Sequence, residues 1–298
     1  MDFRPTDDQR ALQAGMRELL AGRFGRERLR AAVDEAGEAP ADGGSPSVDR
    51  ALWRELGDAG FFALRLPEKD GGVGLGLPEA VLLFEEAGRA LLPGPLVTTH
   101  LAAGDVPGAA TGETVVTRVD HGLVEWLSAA DQVLGDASGA VPVRSVDPLT
   151  PLHRVPVDSG ARDLWPEAAL LTAAEQAGSA SRTTELAVAY AREREQFGQP
   201  IGAFQAVKHL CAQMLVRAEV CRIAVYAAAV TGDPVEIAGA KLLADEAAVR
   251  NARDCLQVHG GMGFTWEADV HLHLKRAWVR AQRGPTAGEA AEVLAAAL

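Results

Sequence analysis

The residues best suited to chemistry lie in one stretch, Ala191-Arg192-Glu193-Arg194-Glu195-Gln196-Phe197-Gly198-Gln199-Pro200-Ile201-Gly202-Ala203-Phe204-Gln205. A charged helix end runs into Phe197-Gly198, meets Pro200 and Gly202, and restarts at Phe204-Gln205. Proline disfavours helical backbone at the residue before it, and glycine tolerates sharp bends. Arg194 and Gln205 therefore flank a tight loop between two helices. A fixed cation and an amide beside a helix start suit an anion such as a phosphate. A solvated helix end followed by a plain turn has the same letters, so both readings stand at this point.

Other candidate groups read more simply. Gly71-Gly72-Val73-Gly74-Leu75-Gly76 follows the apolar run Phe61–Pro67, which is expected to be extended. The glycines lack the Gly-x-Gly-x-x-Gly order and the P-loop Lys, so they predict a turn. Cys211, Cys221 and Cys255 have no C-x-x-C spacing and read as small buried thiols. Seven histidines show no H-x-x-x-H or H-E-x-x-H pattern, and no metal site is expected. His259 reads as a hydrogen-bonded helix end, Asp254 as a surface or interhelical partner, and Asp70 as a turn residue. Trp53, Phe61 and Phe84 are expected in the core.

The elements that must position these groups follow from composition and period. The 298 residues are 48% hydrophobic and 23% charged, as in a soluble globular protein. A net charge of −12 argues against nucleic acid and anionic membrane as partners. The N-terminus is polar and acidic, no apolar run reaches spanning length, and a cytoplasmic protein is expected. Helices are predicted from Thr6, which can cap with Gln9, to about Phe24, and over Val48–Gly60, Leu77–Leu92 and Thr98–Gly104. Gly37–Ser47 reads as a mobile loop. From Asp105 the pattern shifts to short β-like runs: 114–120, 122–126, 132–134, 141–146 and 152–157. Helices return from Trp165 to Glu195, through Val207–Val225, over Ile237–His259 and over Val270–Arg280, before an Ala-rich tail. Three long helices with short turns suggest an antiparallel bundle.

Three stretches together resemble the acyl-CoA dehydrogenase family. The first is Leu52-Trp53-Arg54-Glu55-Leu56-Gly57, with Gly60-Phe61, Leu66-Pro67-Glu68, Gly71-Gly72-Val73-Gly74 and Glu85-Glu86-Ala87-Gly88-Arg89-Ala90. The second is Arg194 to Gly202 with Phe204-Gln205. The third is Gln257-Val258-His259-Gly260-Gly261-Met262-Gly263-Phe264. The resemblance implies a mostly α fold: an N-terminal helical domain (1–104), a truncated middle β segment (105–162) and a C-terminal four-helix bundle (163–298). It implies FAD as cofactor. Arg194 would meet the pyrophosphate, Gln196, Phe197, Ile201 and Gln205 would line the same site, and Gln257, Gly260 and Gly261 would approach the adenine-ribose and pyrophosphate end.

The family reaction is α,β-dehydrogenation of an acyl-CoA thioester, in which a Glu removes the α-proton. Here the sequence departs from the family. The family's Thr-Glu-Pro-x-x-Gly-Ser-Asp stretch has no counterpart between Pro95 and Trp165. The two family positions for the base fall at Ala168 and near Pro285. Glu167 is adjacent to the first but rotated by about 100°, and Glu289 reads as a solvated charge in the tail. No residue is assigned as catalytic. The leading expectation is the short subunit of a heteromeric enzyme, completing the FAD site of a full-length partner that supplies the Glu. Such pairs resemble systems acting on steroid side chains or other bulky CoA esters. A flavin-free lyase or dehydratase on the same fold, and a purely structural subunit, remain as alternatives.

Overall fold

The computed structural model describes residues 5–38, 47–156 and 166–298. Helix α1 (Asp7–Arg23) starts as expected: the Thr6 hydroxyl accepts from the Gln9 N–H, and the Gln9 side chain accepts from the Thr6 N–H. Helix α2 (Arg26–Glu38) carried no expectation, because its charges hide the one apolar edge, Leu29 and Val33, that reaches the core. Most of the Gly37–Ser47 loop lies outside the described residues. Helices α3 (Arg50–Asp58), α4 (Leu77–Ala90) and α5 (Leu96–Leu101) follow.

Residues 61–67 are not extended. They form consecutive turns, with the Val73 N–H donating to the Ala63 carbonyl and the Leu75 N–H to the Leu64 carbonyl. Phe61, Phe62 and Leu64 are buried here. A short apolar run marks burial without fixing backbone shape. A short 3-10 segment at Glu68–Asp70 follows, and the glycines after it form a turn that opens with Gly71 at φ 80°. Trp53, Phe61, Phe62 and Phe84 stack at 4.9–5.3 Å between ring centroids, at the centre of the N-terminal helices.

Five strands make one sheet: β1 (Val116–Asp120), β2 (Leu123–Glu125), β3 (Gln132–Leu134), β4 (Val141–Val143) and β5 (Leu152–Arg154). Their order is β3-β1-β2-β5-β4, with β1 and β3 parallel and the other pairs antiparallel. Arg276 ties this region to the helices. It is ion-paired with Asp147 and donates to the carbonyls of Leu92 at 3.1 Å and Leu149 at 3.3 Å.

Three long helices follow: α6 (Pro166–Glu193), α7 (Gln205–Thr231) and α8 (Pro234–His259). Pro234 sits in the first turn of α8, capped by Asp233, as its rigid φ favours. Asn251 sets the register of all three. Its amide donates to the Met214 carbonyl (2.8 Å), the Thr184 hydroxyl (3.1 Å) and the Ala180 carbonyl (3.2 Å), and Arg217 donates to it at 2.7 Å. Asp254 pairs with Arg217 across α7 and α8, as expected of an interhelical partner. Helix α9 (Val270–Arg280) closes the bundle. The Ala-rich tail is a helix too, α10 (Ala287–Ala296), opened by a reciprocal Thr286–Glu289 cap.

Helices α4 and α6 cross with their backbones in contact. A Cβ on Gly178 would lie 1.9 Å from the Glu85 carbonyl oxygen, and one on Gly88 would lie 2.0 Å from that of Glu175. One apolar core therefore runs unbroken from α1, α3 and α4 into α6, α7 and α8.

Candidate functional site

The loop after α6 is a two-residue hairpin. Strands β6 (Glu195–Gln196) and β7 (Gln199–Pro200) pair, and Phe197 and Gly198 between them have φ of 55° and 78°. Positive φ at both central residues is the hairpin turn whose twist matches its strands. The Ile201 N–H donates to the Arg194 carbonyl at 2.8 Å and closes the loop. Gly202 passes so near α6 that a Cβ would sit 2.9 Å from the Ala191 carbonyl oxygen. Phe197 is 92% exposed, with Phe204 edge-on at 6.0 Å.

The structure brings the predicted residues to one end of the bundle. Tyr190, one turn before Arg194, stacks on His259 at 4.2 Å, immediately before Gly260. Ile201 is half-buried against the cluster holding Cys255, Leu256 and Val258. His259 is a helix-end residue, its Nδ1 2.8 Å from the Cys255 carbonyl. Arg194, Gln196, Phe197, Gln205, Gln257, Gly260 and Gly261 are all exposed. Gly260 has φ 59° and ψ −138°, a backbone shape that only glycine holds without strain. An added Cβ on Gly260 or Gly261 would meet nothing within 4 Å, so their backbones face open space. The Arg194 guanidinium has no hydrogen bond or ion pair among the described residues, its backbone alone being bonded to Tyr190 and Ile201. The Gln196 amide donates to the Glu195 carbonyl at 2.7 Å.

These groups fit a dinucleotide phosphate: an unspent guanidinium, three amide side chains and two bare glycine backbones on one surface. They lie on an exposed surface at the end of the bundle.

The chain's own interior cleft has a different character. A cavity of about 50 Å³ is lined by Ala168, Thr172 and Glu175 of α6, by Gly284, and by charged groups from the sheet and α9. The expected base positions, Ala168 and the neighbourhood of Pro285, thus meet there without a carboxylate of their own. Ion pairs line the space. Arg280 donates to Glu175 at 2.6 Å, Arg283 donates to Asp120 at 2.9 Å and pairs with Glu125 at 2.6 Å, and the Gly284 N–H donates to Asp120 at 3.0 Å. Burial lifts the Glu175 carboxyl above its ordinary range, against the pull of Arg280 and Arg276. Burial works the same way on Asp120, but bonds from His121, Arg283 and Gly284 overcome it and hold that carboxyl well below its usual range. The network pairs most of its charges internally.

Glu167 is engaged in an ion pair. Arg65 grips both its oxygens at 2.8 Å and holds its carboxyl below the usual range. Glu289 is not a solvated tail charge, since its carboxylate accepts from the Thr286 N–H at 2.9 Å and lies 3.3 Å from His121. Burial pushes the Cys221 and Cys255 thiols up to about 12, so neither is a thiolate near neutrality. No group of His, Cys, Asp and Glu among the described residues has metal-binding geometry.

The ion-pair network was missed because its members come from β1, β2, α6, α9 and the loop after α9. A partial signal existed: Arg276, Arg280 and Arg283 recur at helical spacing, as do Ala168, Thr172 and Glu175.

Comparison with known proteins follows this geometry. The family profile described as "Acyl-CoA dehydrogenase, N-terminal domain" matches residues 6–112, and "Acyl-CoA dehydrogenase, C-terminal domain" matches residues 166–295. The chain is 37% identical to acyl-CoA dehydrogenase IpdE2 of Mycobacterium tuberculosis, covering 93% of each chain. It is also 37% identical to acyl-CoA dehydrogenase FadE34 of the same organism, over 89% of this chain but 45% of that protein. In fold it resembles the ChsE4-ChsE5 complex from Mycobacterium tuberculosis (TM-score 0.82, 24% identity, 100% of this chain and 98% of the other). It also resembles the Tcur3481-Tcur3483 steroid ACAD G363A variant (TM-score 0.81, 24% identity, 97% of each).

Proposed function

Because the chain belongs to the acyl-CoA dehydrogenase family, we propose that it is the short subunit of a two-chain acyl-CoA dehydrogenase, completing the FAD site of a full-length partner that supplies the catalytic Glu. One contrast carries this reading: the Arg194 guanidinium stands exposed and unpaired at the end of the bundle that holds Gln205, Gln257, Gly260 and Gly261, while the chain's own cleft is lined by ion pairs and has no carboxylate at either family base position. The likeness in fold to two-chain complexes, one of them a steroid ACAD, supports a partner subunit and a bulky acyl group.

In this assignment Arg194 neutralises pyrophosphate charge from outside the partner's cleft. Gln196, Gln205 and Gln257 offer amide donors, and Phe197 presents an apolar face over the same surface. The open backbone at Gly260 and Gly261 lets a phosphate approach closely, with the Gly260 N–H itself already donated to the Leu256 and Gln257 carbonyls. FAD, when bound there, supplies the hydride acceptor for α,β-dehydrogenation. The α-proton goes to the partner's carboxylate, since Ala168 and Pro285 cannot take it.

Co-expression with the full-length subunit, followed by native mass spectrometry, counts chains and FAD together. Arg194→Ala in that complex is expected to weaken FAD retention tenfold or more, about the worth of a charge-assisted contact. Yellow, active protein from this chain alone would overturn the division of labour. A scaffold role is the second reading, favoured by the ion-paired cleft. Undiminished FAD binding with Arg194 and Gln205 both replaced by Ala would establish it.

A further inference from the structure

A second cavity, also about 50 Å³, lies between α4, α6 and α7, far in character from the charged cleft. Its walls are largely alkyl: Val81, Leu82, Ala174, Ala177, Val225 and Ile223. Three polar side chains line it, Glu85 from α4 and Arg222 and Tyr226 from α7, and the Tyr226 hydroxyl donates to Gln9 at 2.8 Å. Glu85 is 7% exposed, and its carboxylate has no hydrogen bond or ion pair among the described residues. Arg222 donates through Nη2 to Glu219 at 2.9 Å, but its buried Nε–H has no acceptor. Glu85 and Arg222 feel each other electrostatically, yet no N···O contact within 4.0 Å joins them. The Glu85 carboxylate and the buried Arg222 Nε–H are therefore held apart across the cavity, neither with a protein partner.

Leaving such groups unpaired costs free energy, and a bridging group removes that cost from both at once. A cation would satisfy Glu85 but face Arg222. An anion would satisfy Arg222 but face Glu85. A neutral group that donates and accepts suits both. Water alone is a poor fit to the whole space. One water needs roughly 10–15 Å³ and two or more polar partners, and the remaining volume is walled by alkyl carbons. Ile223, 57% exposed, stands at the mouth and gives access from solvent.

We propose that this cavity binds a small neutral molecule whose one polar group, a primary amide or a hydroxyl, bridges Glu85 and Arg222 while a body of a few carbons fills the alkyl pocket. The site is independent of the flavin contact and survives or fails separately from it.

The test is methyl-resolved NMR of the full chain, labelled at Ala, Leu and Val methyls and titrated with propionamide and with 1-propanol. Propionate and propylammonium serve as charged comparisons. Saturable shifts at Ala174, Ala177 and Val225 are expected for the neutral probes, with the charged probes at least tenfold weaker. Glu85→Leu should weaken binding by about tenfold or more, the effect of losing a hydrogen bond to a charged group. Ala177→Leu should abolish it by filling the space. Circular dichroism verifies that each variant is folded, and Glu85→Leu alone carries the comparison should Ala177→Leu not fold. Absence of saturation with both neutral probes overturns the proposal. So do shifts that Glu85→Leu leaves unchanged, or a propionamide-soaked crystal with only water between Glu85 and Arg222.

Discussion

At the scale of single residues, buried titratable groups set opposing responses to pH. Burial pushes His100 down to about 4 and His273 to about 3. His100 keeps a 3.0 Å contact to the Phe61 carbonyl, and His273 one of 2.8 Å to the Ser179 hydroxyl, but both rings stay neutral in the fold. The unfolded chain then binds more protons below about pH 6.5, so stability falls as pH falls from there towards 4. The limit is about 3 kcal/mol per histidine, and urea midpoints at pH 7, 5.5 and 4.5 should decline accordingly. Glu85 acts in the other direction. Burial raises it to about 7 from 4.5, so the folded state binds the extra proton and stability is lost as pH rises through that window. Glu85→Gln should therefore be more stable than wild type at pH 8 by up to roughly 3 kcal/mol, with the advantage shrinking towards pH 5. An advantage that does not change with pH would contradict the assignment.

At the scale of elements, the helices are held by close backbone approach and by buried charge. Gly178 lets α4 and α6 touch, and Gly178→Ala forces the Cβ into the Glu85 carbonyl. A loss of about 1–3 kcal/mol is expected in chemical denaturation, as for overpacked cores. Inside the bundle Lys241 is fully buried and paired with Asp245, which also accepts from Gln176 at 3.0 Å. Lys241→Met strands the carboxylate and should cost about 3–5 kcal/mol. The double replacement Lys241→Met with Asp245→Leu should recover most of it. A double-mutant cycle with no such recovery would mean that the pair does not act as a unit.

At the scale of the whole molecule, the exposed face of α7 is apolar. Val216, Val220, Ile223 and Val230 are 40–61% exposed, and their spacing places them on one stripe. A stripe of this kind marks a protein contact. Under the two-chain proposal, Val216→Glu with Val220→Glu should abolish co-purification with the full-length subunit while leaving this chain's helicity intact. Light scattering on the chain alone should show self-association that the same pair of substitutions reduces. The acid-rich balance of −12 gives no support for nucleic acid as a partner. No helix among the described residues is long and apolar enough to cross a membrane.

The sequence alone determined the helical periods, the cap at Thr6, the β character after Asp105 and the tight turn around Phe197-Gly198, because each depends on neighbours within a few residues. It also determined the family, through motifs whose letters suffice. Tertiary structure decided what distance along the chain conceals. Residues 61–67 became turns because their peptide groups pair with the following glycine loop. Glu167 was claimed by Arg65, 102 positions away. The cleft was lined by Arg280, Arg283, Glu175 and Asp120, brought together from a helix bundle and a sheet. Arg194 and Gly260, sixty-odd positions apart in the chain, share one end of the bundle because α7 and α8 run down and back. Pairing of buried charge depends on three-dimensional neighbours, and no local pattern encodes it.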